Sequence, residues 1–260
     1  MTPTTVAAAS PADTFDLTGR RALVTGASRG IGRAIANAFA HRGADVVAVA
    51  RSASGLRETA DLAADATGRI HPHVADLSSS EAVRATVDAA TWALGGLDVL
   101  VNNAAADYAG PIESTSVVDW QRVLHLNLQS CWELTRAASP YLQDGGGKVI
   151  NIASILGLAA IKGNSAYIAA KHGLVGLTRA VALEWARRGV QVNAIAPGFV
   201  ETAMLGDLDD DFMDFIRNST PQGRCGQPDE IAWPAVFLAS AASDFMTGQV
   251  LVFDGGYTTQ

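Results

Sequence analysis

The chain has 260 residues, of which 48 % are hydrophobic and 17 % are charged, and its formal net charge at pH 7 is −7. This length fits one large α/β domain, and the acidic balance argues against nucleic acid or an anionic membrane as the main partner. The two cysteines are too few for a disulfide framework, and no apolar run approaches the roughly 20 residues of a membrane-spanning helix, so we expect a cytoplasmic protein.

Residues 1–12 are rich in Thr, Ala and Pro, and they lack the basic start and the apolar core of a signal peptide. We therefore interpret residues 1–16 as a flexible arm. Residues 17–260 contain no internal repeat, low-complexity segment or linker, and apolar runs alternate in them with helical patterns. This alternation predicts one α/β domain whose sheet of seven parallel strands is covered by helices on both faces.

A glycine-rich turn follows the first predicted strand, Arg21–Thr25. Its spacing is Gly-x-x-x-Gly-x-Gly, and a helical pattern continues over residues 34–41. A strand, a glycine turn and a helix in this order place backbone N–H groups and a helix N-terminus against a pyrophosphate. The candidate contacts in the turn are Gly26, Ser28, Arg29, Gly30, Ile31 and Gly32. The alternative is a turn without a ligand, but Thr25 before the first glycine and the Gly-Ile-Gly ending make the motif more specific.

The end of the second predicted strand, Asp45–Ala50, bears on which dinucleotide would bind. Ala50 stands where an acidic residue would contact the ribose 2′-hydroxyl of NAD, and Arg51 and Ser52 follow it. Arg29 is a second cation that can converge on the same point, and guanidinium groups match the oxygens of a 2′-phosphate. The sequence therefore predicts NADP(H) as the cofactor. The alternative is that both arginines are ordinary surface residues.

The next part of the chain predicts a helix at 56–67, a strand at 70–74, a helix that begins at 78 or 79 and ends at 93, and a fourth strand that starts at 97. His71 and His73 have no acidic or cysteine partner nearby in the sequence, so we expect no metal site. Asp107 and Tyr108 follow the fourth strand. They are candidates for polar contacts to a substrate, or they are simply loop residues.

Tyr167 and Lys171 lie on a helix predicted at 165–188, and their spacing puts both side chains on one face. A lysine ammonium beside a phenol favours the phenolate and would lower the tyrosine pKa from its usual ~10. Such a tyrosine can donate a proton to a developing alkoxide, or remove one from an alcohol, near neutral pH. Ser154 directly follows the strand predicted at 148–153, where strand meets loop, and we expect its hydroxyl to point toward the phenol. A Tyr-x-x-x-Lys pair also arises by chance, and the serine is what favours a catalytic interpretation.

The glycine turn together with Ser154, Tyr167 and Lys171 resembles the short-chain dehydrogenase/reductase family, and the resemblance covers residues 17–257. It implies a Rossmann-like, doubly wound sheet and hydride transfer between the nicotinamide of NADP(H) and a carbonyl or alcohol carbon. Tyr167 would be the general acid/base, and Lys171 would lower its pKa and bind the nicotinamide ribose. Ser154 would hydrogen-bond the substrate oxygen. Asn127, inside a helix predicted at 117–142, would hold a water of a proton relay beside the lysine.

The resemblance also implies cofactor contacts beyond the glycine turn. The adenine ring would be held after the third strand, and the carboxamide of the nicotinamide would dock on a Pro-Gly-x-x-x-Thr segment at 197–202. The implied residues are Arg51, Ser52, Asp76, Leu77, Asn103, Ala104, Tyr167, Lys171, Pro197, Gly198, Val200 and Thr202. Family members usually carry glycine where this chain has Ala105, so we expect a slightly displaced turn below the nicotinamide.

Residues 201–222 break the alternation, with five aspartates among apolar residues, and we interpret them as a mobile lid over the substrate. A helix at 229–239 and a strand at 249–253 complete the domain. The resemblance further implies a homotetramer or homodimer built on the helices at 117–142 and 165–188. Their tryptophans, Trp120, Trp132 and Trp185, would be interface anchors or would be buried within one subunit.

Three functions remain open at this point. The first is an enzyme for a small ketone, hydroxy compound, sugar acid or polyol. The second is a reductase of 3-oxoacyl groups on acyl carrier protein or coenzyme A, but the net charge and Glu133, where such reductases tend to have arginine, disfavour an acidic carrier. The third is a non-catalytic NADP-binding regulator, which would have lost one of the four active-site residues, whereas this chain has all of them. We favour the first.

Overall fold

The computed structural model describes residues 14–203, 205 and 210–259, and every strand pair in it is parallel. The strands are β1 (Arg21–Thr25), β2 (Asp45–Ala50), β3 (Ile70–Val74), β4 (Val99–Asn102), β5 (Lys148–Ile152), β6 (Gln191–Pro197) and β7 (Val250–Phe253). Their order is β3-β2-β1-β4-β5-β6-β7. It reverses between β1 and β4, where a doubly wound sheet opens its ligand crevice. The predicted sheet is confirmed.

Helices cover both faces of the sheet. They are α1 (Gly30–His41), α2 (Ala53–Asp61), α3 (Ser80–Leu94), α4 (Val117–Leu124), α5 (Ser130–Leu142), α6 (Ser165–Trp185), α7 (Asp210–Ser219) and α8 (Pro228–Ala239). Helices α1 and α8 pack on one face, and α3, α5 and α6 pack on the other. Because side chains alternate along a strand, Val24 of β1 joins the first core and Leu23 joins the second. The sheet is thus buried on both sides.

Two predicted segments lie partly outside the described residues. The arm predicted for residues 1–16 is described only from Thr14 onward, and Asp207, Leu208 and Asp209 of the predicted lid are not described. Within the described part of the lid, α7 is a short amphipathic helix with Ile216 buried. None of the helices described has the length and apolar character needed to cross a bilayer.

The structure corrects the bounds of three predicted helices. The stretch at 117–142 is not one helix, because a π-helical turn, His125–Gln129, separates α4 from α5. The helix predicted at 56–67 is α2, which starts earlier because the Ser52 hydroxyl accepts the Gly55 backbone N–H at 3.1 Å and caps it. The helix predicted at 165–188 ends as α-helix at Trp185, and one 3₁₀ turn follows before Gly189 adopts a left-handed conformation.

Arg21 and Asp98 form a part-buried ion pair between the amino ends of β1 and β4. The Arg21 side chain donates to Asp98 at 2.7 and 2.8 Å, and its backbone N–H donates at 2.9 Å. Burial alone would raise the pKa of Asp98, but these hydrogen bonds lower it below its ordinary value. The pair therefore stabilises the fold only while the carboxylate is ionised.

We expect Asp98→Asn to reduce the free energy of unfolding by about 2 kcal/mol at pH 7, because Arg21 loses its charged partner. The pKa of Asp98 is lower in the folded than in the unfolded chain. The stabilisation is therefore complete above the unfolded-state pKa and is lost as the pH falls through the folded-state pKa. Urea unfolding of both proteins at pH 7 and in acid measures this. Asp88→Asn, on the exposed side of α3, is the matched control. A difference that stayed constant into acid would contradict the assignment.

Candidate active site

A cleft of about 960 Å³ opens at the carboxyl ends of the central strands. This volume is that of a small-molecule or cofactor site. Nearly all the residues predicted to bind cofactor or substrate line it. They are Gly26, Ser28, Arg29, Gly30, Ile31, Gly32, Arg51, Ser52, Asp76, Leu77, Asn103, Ala104, Ser154, Tyr167, Lys171, Pro197, Gly198, Val200 and Thr202. Asp107 also lines the cleft, whereas Asn127 and the second candidate for a substrate contact, Tyr108, do not.

The glycine turn after β1 leaves no room for a side chain at its last glycine, Gly32. A Cβ atom added to Gly32 would lie 2.3 Å from the backbone oxygen of Gly26 and 2.4 Å from Nδ2 of Asn103. Gly26 itself has a φ of +66°, a left-handed conformation that glycine adopts without strain. The turn therefore brings bare backbone to the cleft wall, as close binding of a polar ligand requires.

The N-terminus of α1 faces this end of the cleft. Its first turn contains no acidic residue, and the preceding residue, Arg29, makes no side-chain capping hydrogen bond. The first backbone N–H groups of a helix have no partner within the helix, and the helix dipole makes this end positive. The turn is thus suited to an anion such as a pyrophosphate.

Thr25 ties the glycine turn to the turn after β4, and the sequence analysis did not propose it as a site residue. Its hydroxyl donates to the Val101 carbonyl at 3.1 Å and accepts the backbone N–H groups of Asn103 and Ala104 at 2.9 and 3.0 Å. The Asn103 side chain in turn donates to the Thr25 carbonyl at 2.8 Å. One buried threonine at the end of an apolar strand was the signal that could have identified it.

Ala105 does not open the turn that Thr25 holds. No described residue other than glycine has a positive φ, so Ala105 fits the turn without left-handed backbone. Its neighbour Ala104 keeps its hydrogen bond to Thr25. The displacement expected from the missing glycine is therefore not visible at this anchor.

Three arginines line the cleft at its β2 end, and they differ in their partners. Arg33 is neutralised, because it forms an ion pair with Glu58 at 2.6 Å and donates to the Ser28 carbonyl. Arg29 and Arg51 are exposed, and neither is in an ion pair with a described acidic residue. These two guanidinium groups thus give one end of the cleft a local positive charge.

Ser154, Tyr167 and Lys171 meet at the other end of the cleft. The Lys171 ammonium is buried, donates to the Ile152 carbonyl at 2.7 Å, and lies 5.5 Å from the centre of the Tyr167 ring. The Ser154 hydroxyl accepts the Leu156 backbone N–H at 3.1 Å, which fixes it at the start of a 3₁₀ turn. The carboxyl end of β5 and the first turns of α6 therefore bring these three groups together as predicted.

Burial dominates the ionisation of this cluster. It raises the pKa of Tyr167, the negative charge of Asp107 raises it further, and a hydrogen bond with Ser154 lowers it. Burial also lowers the pKa of Lys171 to about 8. The net result is a pKa of Tyr167 above its ordinary value, and the expectation that Lys171 favours the phenolate stays a prediction. Tyr167 is therefore a protonated phenol at neutral pH.

Asn127 lies behind the cleft in the π-helical turn, His125–Gln129. Its Nδ2 donates to the carbonyls of Ala106 and Val123 at 2.7 and 2.9 Å, which links the turn to the loop after β4. Its Oδ1 is buried and has no partner among the described residues. A buried amide oxygen without a partner is uncommon in native proteins, and a bound water is the usual reason for one.

A row of buried polar side chains crosses the sheet beneath the site, and the sequence analysis missed it. Asn102 of β4 donates to Asn151 of β5 at 2.8 Å, and Asn151 donates to Thr178 of α6 at 2.9 Å. The two asparagines are register partners at the ends of their strands. These bonds fix α6, which carries Tyr167, against the strand ends. The signal was an asparagine near the carboxyl end of each of two largely apolar strands.

The substrate end of the cleft is mostly apolar. Its lining includes Ala105, Ile155, Leu156, Phe199 and Phe212, the last from α7. Asp107 is the acidic residue in this part of the lining as described. The described residues contain no group of three or more His, Cys, Asp or Glu side chains that could hold a metal ion.

The chain is similar to known proteins over almost its whole length. The family model described as Enoyl-(Acyl carrier protein) reductase matches residues 26–258. The chain is 42 % identical over 252 residues to 2-dehydro-3-deoxy-D-gluconate 5-dehydrogenase of Bacillus subtilis, covering 95 % of this chain and 98 % of the relative. It is 39 % identical to D-threitol dehydrogenase of Mycolicibacterium smegmatis (94 % and 95 % covered). It is 35 % identical to a 3-oxoacyl-[acyl-carrier-protein] reductase of Thermotoga maritima (92 % and 98 % covered).

Solved structures show the same fold. A protein of Beutenbergia cavernae, assigned as an NAD(P)-dependent gluconate 5-dehydrogenase and solved with NADP at low occupancy, superimposes with a TM-score of 0.91. It is 44 % identical to this chain, and the match covers 95 % of this chain and 100 % of that one. The family model spans almost the whole domain, and the relatives above match it end to end. The chain therefore belongs to the short-chain dehydrogenase/reductase family of oxidoreductases.

Proposed function

We propose that this protein is an NADP(H)-dependent oxidoreductase that interconverts a carbonyl group and a secondary alcohol of a small molecule. One observation carries the proposal. A single cleft has a backbone cradle with two exposed arginines at one end, and the buried Ser154 and Lys171 with the part-buried Tyr167 at the other. Such a cleft suits a cofactor that spans it and a substrate that meets it beside the phenol. A cytoplasmic location is part of the same proposal.

The cradle fits a dinucleotide. The space that a Cβ of Gly32 would fill is closed by the Gly26 backbone, and the N-terminus of α1 points bare N–H groups at the cleft. We propose that the residues predicted from the sequence as cofactor contacts hold it, from Gly26 to Thr202. When bound, the nicotinamide accepts or supplies the hydride. The Beutenbergia cavernae structure, solved with NADP, supports this choice of cofactor.

Tyr167 is the proton donor in the direction of reduction. Its pKa is raised by burial, so the phenol keeps its proton at neutral pH until an oxygen with a developing negative charge takes it. The Ser154 hydroxyl accepts from Leu156 and hydrogen-bonds with Tyr167, and we propose that its hydrogen turns to the substrate oxygen when a substrate binds. Lys171 places a positive charge beside the phenolate that proton transfer leaves, and so favours the transfer.

Asn127 is proposed to hold a water that carries protons between the site and solvent. Its Nδ2 donates to two carbonyls, which fixes the orientation of the side-chain amide. The buried Oδ1 has no hydrogen-bond partner among the described residues. Cys131, one turn later on α5, donates to the Asn127 carbonyl at 3.6 Å. Burial raises the pKa of the Cys131 thiol, and the positive charge of Lys171 partly opposes this increase. The asparagine and the lysine thus belong to one buried region, where a bridging water would connect them.

We expect the Arg29→Ala/Arg51→Ala variant to lower kcat/KM for NADPH about 100-fold, because two charge-assisted hydrogen bonds to the 2′-phosphate are lost. Turnover with NADH, which lacks that phosphate, is expected to change by less than about threefold. Steady-state kinetics with both cofactors measures the difference. Arg57→Ala removes an exposed arginine of α2 outside the cleft and is the control. Equal decreases in kcat/KM with NADPH and NADH would mean that the arginines do not contact the 2′-phosphate.

A small free carbonyl compound is favoured over an acyl chain on carrier protein. Glu133 of α5 is held in place by Ser80 at 2.7 Å and Gln129 at 2.9 Å, which keeps an acidic group where a basic docking residue would be needed. The relatives include both a reductase of carrier-bound groups and dehydrogenases of small compounds. Acetoacetyl thioesters, free and carrier-linked, are the test. Fast turnover of the carrier-linked form would replace our assignment with the reductase.

A homotetramer or homodimer through α4, α5 and α6 completes the proposal. Trp120 and Trp132 are 40 % and 44 % exposed, so both indoles can contact a second copy. The Arg136 guanidinium lies 5.4 Å from the centre of the Trp132 ring. Trp185 is 8 % exposed and is packed in the subunit core, so it is not an anchor. Sedimentation measures the state, and a monomer at micromolar concentration would contradict assembly.

A further inference from the structure

The carboxylate of Asp107 has no part in the proposed proton transfer. It lies in the loop after β4 and lines the same cleft as Ser154 and Tyr167. Asp107 is exposed, and no described lysine or arginine forms an ion pair with it. An unneutralised carboxylate beside the reacting centre must affect which substrates can enter, because charges in a cleft act at higher strength than in open water.

The loop holds this carboxylate in a defined place. The Tyr108 backbone N–H donates to Oδ1 of Asp107 at 2.7 Å, and the Arg122 side chain donates to the Asp107 carbonyl at 3.2 Å. Asn127 holds the preceding carbonyl, that of Ala106, at 2.7 Å. The Gly110 N–H closes the far end of the loop on the Gly163 carbonyl at 2.7 Å. The backbone around Asp107 is thus held by hydrogen bonds, and the second carboxylate oxygen, Oδ2, is the one that can accept a hydrogen bond from a ligand.

The described lining has no matching cation at this end. Its basic residues are Arg29, Arg33, Arg51 and Lys171. The three arginines belong to the glycine-turn and β2 end, and Arg33 is already paired with Glu58. Lys171 is buried and donates to the Ile152 carbonyl. Arg122, which donates to the Asp107 carbonyl, does not line the cleft. A substrate carboxylate would thus meet the negative charge of Asp107 and no cation of the described lining that is free to pair with it.

The charge of Asp107 also reaches the catalytic groups. It raises the pKa of Tyr167 and that of Lys171, in each case after the larger effect of burial. The Asp107 carboxylate is therefore close enough to act electrostatically on a substrate oxygen held by Ser154 and Tyr167. Specificity can arise from repulsion of the wrong substrate as well as from attraction of the right one.

We propose that Asp107 is a specificity-determining residue, which selects neutral polyhydroxylated substrates by accepting a hydrogen bond from a hydroxyl near the reacting carbon and by repelling carboxylates. The inference rests on the proposed carbonyl/alcohol reaction. It narrows the substrate class to polyols and hydroxyketones, and it removes the sugar acids that the sequence left open.

Matched pairs of polyol and aldonate, with four to six carbons and the same stereochemistry, test this with NADP+ and the full chain. We expect the wild type to prefer the polyol by at least about tenfold in kcat/KM. In Asp107→Asn the preference should shrink by about tenfold, through slower polyol and faster aldonate turnover, since the amide is neutral and still polar. Asp88→Asn on α3 should leave the ratio unchanged. A wild type that prefers aldonates, or an unchanged ratio in Asp107→Asn, would overturn the inference.

Equilibrium binding separates this inference from the proposed reaction. Polyol and aldonate are titrated by calorimetry into the NADP+-saturated protein, with and without Asp107→Asn. Selective polyol binding that the substitution abolishes supports the inference even if no compound turns over. Absence of turnover would count against the reaction alone. Equal binding of both compounds in both proteins would overturn the role of Asp107, whatever the turnover.

Discussion

Replacement of Tyr167 by phenylalanine is expected to lower kcat about a thousandfold, as loss of a general acid typically does. The ring keeps its place in α6 and its contact with Lys171, so the cleft should retain its shape. Affinity for NADP(H) is expected to stay within about threefold, because the glycine turn and the arginines are untouched. Steady-state turnover at saturating NADPH, with cofactor affinity from calorimetry, gives both quantities.

Tyr141→Phe is the matched control for that experiment. Tyr141 is 38 % exposed on α5 and lies outside the cleft lining, so loss of its hydroxyl should leave turnover unchanged. If Tyr167→Phe retained near-normal turnover, the proton would come from another group, and the role we propose for Tyr167 would be wrong. If it lost cofactor binding as well, the phenol would act mainly as a cofactor contact, and the loss of turnover would not assign the proton transfer to it.

Gly32→Ala is the second change from which we expect a large effect. Its Cβ would lie 2.3 Å from the Gly26 backbone oxygen, and backbone cannot yield as a flexible side chain can. The turn after β1 must then shift, and the cradle for the pyrophosphate opens. We expect NADP(H) to bind at least about 100-fold more weakly, and the free energy of unfolding to fall by about 1–3 kcal/mol. Calorimetry and urea unfolding measure the two effects.

Gly226→Ala controls for the added methyl group. The nearest atom to its added Cβ is 3.7 Å away, an ordinary contact, and Gly226 does not line the cleft. We expect it to leave both NADP(H) affinity and stability nearly unchanged. Wild-type NADP(H) affinity in Gly32→Ala, together with wild-type stability, would show that the close packing of this turn is not needed for the cofactor.

The strands were predictable because both faces of the sheet are buried. A parallel strand covered on both sides is a short continuous apolar run, and β1 and β2 have the bounds expected from such runs. The bounds predicted for β3 are also correct, although this strand contains two histidines and is partly exposed. Pro72 within the third run is tolerated because β3 is at the sheet edge, where a missing N–H costs no ladder bond on the open side. The family followed from the glycine turn and from Ser154, Tyr167 and Lys171, whose positions relative to these strands are fixed.

What the sequence did not reveal depends on contacts between distant segments. The stretch at 117–142 has a helical pattern throughout, and the π-helical turn in it coincides with the hydrogen bond from Asn127 to Ala106 in another loop. The raised pKa of Tyr167 comes from burial by the whole fold and from Asp107, neither of which a local pattern reports. The roles of the catalytic residues remain predictions that the variants above will test.

The π-helical turn makes this helix pair sensitive to chain length. A π turn accommodates one residue more than an α-helical turn, so deletion of one residue from His125–Gln129 would let α4 and α5 merge into one regular helix. The flanking helices would keep their relative orientation, because the turn would lose the extra residue and its widening together, but the widened turn that places Asn127 would be gone. Asn127 would no longer be able to hold both Ala106 and its buried site. We therefore expect the shorter chain to have a more regular helix but lower activity. At this turn, one additional residue serves activity at the expense of helix stability.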